Sequence, residues 1–144
     1  MESHSLRQMT AGSEHRSIAA VSAGDFAILA AFVAYGLLSH AINPLEFPLH
    51  AIETAVPFVL AWILVAPIGG LYRRRTIESI RATLFRTTLV WTVASLLGGA
   101  IRATSLFHGQ APPIFLLANL VFGLAFLLPW RLAVSLWWRR FAAD

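Results

Sequence analysis

Four long apolar runs, joined by short segments that are by turns rich in arginine and almost free of it, constrain this chain more than any other feature. A helix rising about 1.5 Å per residue needs roughly 20 apolar residues to cross a hydrocarbon layer of about 30 Å. Residues 17–39, 51–72, 83–103 and 113–132 meet that requirement. They predict an all-α integral membrane bundle of four transmembrane helices. The first run is longer than the ~7–15-residue core of a signal peptide, so it is expected to be retained.

The arginines give the orientation. Arg7 and Arg16 precede the first run, Arg73, Arg74, Arg75, Arg81 and Arg86 lie in or beside the middle connection, and Arg131, Arg139 and Arg140 end the chain. The two opposite connections contain only Arg102. Positive charge beside apolar spans marks the cytoplasmic side, so the expected topology is multi-pass in the cell membrane with both termini cytoplasmic. Residues 1–16 read as a polar cytoplasmic tail, expected to be disordered. Residues 17–138 read as the transmembrane domain with a cytoplasmic extension, and residues 139–144 as a cytoplasmic C-terminus.

Composition excludes several function classes. A hydrophobic fraction of 58% and a charged fraction of 12% depart from soluble domains, with about half apolar and a quarter charged residues. The runs consume most of the 144 residues, leaving no soluble catalytic domain, and no enzymatic function is expected. All 11 basic residues are arginine. Beside apolar spans such residues set topology and touch anionic headgroups, so the expected partner is the lipid bilayer, with Arg73, Arg74 and Arg75 as headgroup contacts and no nucleic acid. Cysteine is absent, which removes disulfides and thiolate metal sites. No two histidines are placed as facing haem ligands, and no metalloprotease spacing, phosphate loop or nucleophile elbow occurs. No cofactor and no metal are expected.

The informative residues are the few polar ones inside the runs, where an ionised group costs at least about 2.5–3.5 kcal/mol at the bilayer centre and normally has a partner. Asp25 lies in the first run, on a face shared with Phe32, Gly36, Ser39 and His40. Arg86 and Arg131 share its depth and are its candidate partners. Such a pair either pins the helices, or leaves Asp25 as a proton or cation site. In the third run only residues 87–101 separate Arg86 from Arg102, about 22 Å, so at least one arginine must snorkel or be paired. Arg102 shares a face with Thr88, Trp91, Ser95, Gly98 and Gly99, a small and polar stripe expected to face the bundle interior. His40, Glu53, Asn119 and His108 lie at similar depth, with Glu53 its foremost expected partner. This outer cluster is either an interfacial clamp or a site for a small anion or polar headgroup.

Ala19, Ala23, Ala27 and Ala31 form a small-residue stripe suited to helix packing, within the chain, in a homo-oligomer or against another membrane protein. Trp62 and Trp91 read as core. Tyr72, Trp130, Trp137 and Trp138 read as an aromatic belt at the cytoplasmic interface. Residues 55–62 (AVPFVLAW) and 112–119 (PPIFLLAN) are weakly similar and would suit a parallel hairpin repeat.

In size and helix count the chain is similar to small multidrug exporters, from which it departs in its strong arginine bias and its off-centre Asp25. Gly24-Asp25 opening the first helix, Ser39-His40 closing it, Pro57-Phe58 and Trp62 in the second, Trp91 and Arg102 in the third, and Trp130-Arg131 in the fourth carry a closer likeness. In that order, over residues 24–131, the chain resembles an uncharacterised family of prokaryotic four-helix membrane proteins, domain of unknown function three-thousand-fifty-four. The resemblance implies a multi-pass protein without an assigned activity. Four functional readings follow: an accessory or small-solute or ion binding and translocating module built on Asp25 and Arg102, a structural or interaction protein, an exporter-like transporter, and, least supported, a lipid-acting enzyme using the outer histidines.

Overall fold

A computed structural model describes residues 2–141, with side chains from His15 onward. The first and last residues of the expected tails, Met1 and Ala142 to Asp144, lie outside the described residues. Among the described residues there are five helices and no strand: α1 Glu2–Ser39, α2 Pro48–Ile68, α3 Arg74–Glu78, α4 Ile80–Arg102 and α5 Pro113–Phe141. Four are long and apolar enough to cross a membrane, over His15–Ser39, Pro48–Ile68, Ile80–Arg102 and Pro113–Phe141.

The ends of these helices follow local chemistry. α1 closes on a Schellman-type turn in which Ile42 N–H reaches Leu37 O (2.9 Å) and Ala41 occupies the left-handed region at φ 58°, a position that favours glycine. Asn43 then organises the connection: its side-chain oxygen accepts from Leu45 N–H (3.0 Å) and its amide donates to Glu46 (2.9 Å). Pro48 starts α2, where its fixed φ suits the first helical position. Gly70, at φ 72°, ends α2 by the same turn, with Leu71 N–H on Ala66 O (3.1 Å). The second span is therefore bounded by Pro48 and Ile68 rather than by residues 51 and 72. α1 continues N-terminally to Glu2, past the start expected at residue 17, and α5 runs unbroken to Phe141 with Pro129 inside it.

The four long helices form a ring in which α2 packs on α4, α4 on α5, and α1 closes the circle against α5 and α2. α1 faces the bundle with Val21, Asp25, Leu29 and Phe32, all buried. Gly98 and Gly99 bring α4 close: a β-carbon on either would collide with Phe58 of α2 or Leu116 of α5. The core at mid-bundle is aromatic. Trp62 and Trp91 are fully buried with centroids 6.0 Å apart, and Phe32 meets Trp91 edge-on at 5.8 Å.

Candidate functional site

Two polar layers flank this aromatic core. The first lies toward the arginine-rich end. Asp25 is 0% exposed, and its carboxylate accepts from Tyr72 Oη (2.6 Å), from Trp130 Nε1 (2.9 Å) and from the Arg131 guanidinium, with which it forms an ion pair. α1 supplies the acid, α5 supplies Trp130 and Arg131, and the connection after α2 supplies Tyr72. Trp62 Nε1 donates to the Tyr72 hydroxyl (3.3 Å). Arg131, itself 1% exposed, donates to Leu71 O (3.3 Å) and lies over the Tyr72 ring at 5.1 Å, while its Nε has no partner. Gly24 is needed beside Asp25, because a β-carbon there would overlap the Trp130 indole. Tyr72 lies just outside the α2 span. Burial pushes its hydroxyl up to about 12, and the neighbouring Asp25 carboxylate adds to the shift, so it keeps its proton and donates a hydrogen bond to Asp25.

The irregular backbone after α2 approaches this cluster and needs partners for its carbonyls, which hydrocarbon does not provide. Side chains supply them. Arg86 donates to Gly69 O (2.8 Å), Thr76 to Gly70 O (2.8 Å), Thr83 to Thr76 O (2.5 Å) and Ser135 to Ile77 O (2.7 Å). The arrangement is closed and its acceptors are occupied, which suits a clamp joining α1, α2, α4 and α5.

The second layer is different. Asn119, 6% exposed, donates to Ser95 Oγ (3.0 Å), and its backbone oxygen accepts from Trp91 Nε1 (3.3 Å). Between it and the loops at that end lies a cavity of about 350 Å³, bounded by α1, α2, α5 and the last residue of α4. Its walls include Phe32, Tyr35, Phe58, Phe115 and Phe122, and its polar groups include Arg102, Thr54, Asn119 and His40. Arg102 Nε donates to Gln110 O (3.3 Å), and its guanidinium lies 5.3 Å from the Phe115 centroid. Gly109 packs flat against that guanidinium, leaving no room for a β-carbon. The Thr54 hydroxyl is buried without a hydrogen-bond partner.

The sequence-predicted residues are thus sorted. Asp25 meets Arg131, not Arg86. Glu53 faces His108 at 3.5 Å instead of pairing with Arg102, although its charge acts on Arg102 through space. His40 is exposed at the mouth of the cavity. On the Arg102 face, Trp91, Ser95, Gly98 and Gly99 are buried, but Thr88 is exposed and donates back to Leu84 O. Ala19, Ala23, Ala27 and Ala31 are all exposed, because α1 packs through its opposite face. Arg73, Arg74 and Arg75 are exposed, and Arg74 pairs with Glu78 at 2.6 Å. Tyr72 and Trp130 were expected in an interfacial belt and instead hold Asp25. Their neighbours were the available signal: Trp130 adjoins Arg131, and Tyr72 follows the Gly-Gly turn that folds inward.

A family described as a protein of unknown function (DUF3054) matches residues 22–134, most of the chain, including Asp25, Tyr72, Trp130 and Arg131 of the first polar layer and Thr54, Arg102 and Asn119 of the second. Neither the curated proteins nor the solved structures yielded a match.

Proposed function

The chain belongs to the DUF3054 family, and from the contrast between its polar layers we propose that it is a non-enzymatic, multi-pass binding protein of the cell membrane. In this reading the Asp25–Arg131 cluster is a structural clamp and the Arg102 cavity is the compartment for a small solute. Both termini are cytoplasmic, so the cavity opens toward the outside. What carries the reading is the unused hydrogen-bonding capacity of Arg102 and Thr54 at a cavity of about 350 Å³, within the ~300–1,000 Å³ of ligand sites. The clamp offers no comparable opening. An exporter-like role needs an accessible carboxylate, whereas Asp25 is 0% exposed and already holds three donors.

Translocation through one copy is disfavoured, because Phe32, Trp62, Trp91 and Leu127, each no more than 8% exposed, lie between the cavity and the clamp. The reading is tested by filling the cavity. Gly36 borders it, and a β-carbon there meets nothing within 4 Å, so Gly36→Phe should occupy the space and retain the fold. Native mass spectrometry from a neutral detergent should show a one-to-one small-molecule adduct on the wild type that is absent from Gly36→Phe. A wild type without an adduct, or an adduct equally retained by the variant, contradicts the proposal.

A further inference from the structure

Resting on that reading of the cavity, we propose that its ligand is a single-chain amphiphile with a monoanionic headgroup. The oxyanion would sit on Arg102 and Thr54, and the chain would lie along the aromatic wall between α1 and α5.

Four observations lead to this class. First, the Arg102 guanidinium is immobilised without being neutralised. Phe115 holds one face at 5.3 Å, the Gly109 backbone packs against it, and only Nε has an acceptor, the neutral carbonyl of Gln110 at 3.3 Å. Both terminal nitrogens are left for an acceptor, and a planar guanidinium matches an oxyanion with two parallel bonds. Second, the buried Thr54 hydroxyl has no partner. Leaving a buried hydroxyl unpaired is costly, and an oxyanion at Arg102 gives it an acceptor in the same cavity.

Third, the charge balance favours one negative charge. Glu53, 47% exposed in its side chain, is turned to His108 and makes no ion pair with Arg102, yet it acts on that arginine through space. Arg102 is the one arginine among the residues lining the cavity, and Glu53, outside that lining, already offsets part of its charge, so a second ligand charge would have no permanent counter-charge. Fourth, the cavity is too apolar for a free polar ion and too small for two acyl chains. At about 350 Å³ it takes a headgroup and the first part of one chain. Tyr35 and Phe122, roughly half exposed with ring centroids 6.1 Å apart, border it where α1 meets α5. The remainder of a chain can leave there into the acyl region of the bilayer.

The test uses the full chain in dodecyl maltoside and follows one-to-one complexes by native mass spectrometry with dodecanoate, dodecanol, butyrate and a two-chain phosphatidylglycerol. Dodecanoate should bind, and Arg102→Gln should weaken it about tenfold or more, the scale of one charge-assisted contact. Gly36→Phe should block it without altering any charge, which keeps the test valid should Arg102→Gln misfold by circular dichroism. Dodecanol binding as tightly as dodecanoate, with Arg102→Gln unchanged, overturns the anionic headgroup and leaves the cavity reading standing. Butyrate binding equally well overturns the acyl chain, and tighter binding of phosphatidylglycerol overturns the single chain. Failure of every amphiphile to bind the wild type removes both the ligand class and the cavity reading.

Discussion

Asp25→Asn keeps the size of the side chain and removes its charge, so it isolates what the ion pair contributes. In the native protein the carboxylate accepts from Arg131, Tyr72 and Trp130 while 0% exposed. An asparagine keeps one acceptor oxygen and turns an NH₂ group toward donors. With that oxygen at the Oδ2 position it can still accept from Arg131 and Tyr72 while the NH₂ meets Trp130 Nε1, so what Arg131 loses is its counter-charge, with Leu71 O at 3.3 Å as its other acceptor. Removing one member of a buried pair costs about 3–5 kcal/mol. Hydrogen bonds between membrane helices average only about 0.6 kcal/mol, since the unfolded chain in lipid also finds partners, so the lower end, about 3 kcal/mol, is expected. Arg131→Met should cost a similar amount by stranding Asp25. The double variant should cost little more than either single change, giving a coupling of about 2–3 kcal/mol. Unfolding by SDS in mixed micelles, followed by far-UV circular dichroism, measures all three. Single losses below about 1 kcal/mol that simply add would refute the clamp.

Three further outcomes follow from local geometry. Ala41→Gly should stabilise the protein by about 0.5–1 kcal/mol in the same assay, because relief of the left-handed strain at φ 58° exceeds the added chain entropy; a loss would contradict the turn assignment. Gly24→Ala should destabilise by about 1–3 kcal/mol, since the new methyl displaces the Trp130 indole from Asp25, and the shift should be visible in tryptophan emission. One of the two tyrosines should stay protonated up to about 12 in an absorbance titration at 295 nm. Because that hydroxyl is raised in the folded state, its contribution to stability is present below about 10 and lost as pH rises through about 12. Asp25→Asn should lower the titration point.

The four spans were legible because length and hydropathy are local properties of the chain. Depth was legible too, and it placed Asp25 level with both Arg86 and Arg131. Choosing between them required the order of helices around the ring. α1 packs on α5 and α2, so the arginine of α5 reaches Asp25, while Arg86 on α4 turns to Gly69. The alanine stripe did not say which helix it would meet: within the chain α1 packs through the bulkier face of Val21, Asp25, Leu29 and Phe32, and the stripe is exposed. Glu53 and Arg102 are level in depth, but the loop after α4 returns His108 to Glu53 and Gln110 to Arg102. Loops lack the periodicity that would have revealed this. Tyr72 and Trp130 were hidden by their own chemistry, since an amphipathic ring at interfacial depth is ordinarily a belt residue.

The chain has no cysteine, so single cysteines can report directly whether one polar layer is open and the other sealed. Gly36→Cys borders the Arg102 cavity, and Thr87→Cys replaces a buried residue of α4 next to Arg86. Each would be treated in sealed vesicles of known orientation with a membrane-impermeant maleimide. The account predicts that Gly36→Cys is labelled only from the side opposite the termini, and that Thr87→Cys is labelled from neither side until the protein is denatured. Native labelling of Thr87→Cys, or labelling of Gly36→Cys from the cytoplasmic side, would contradict it.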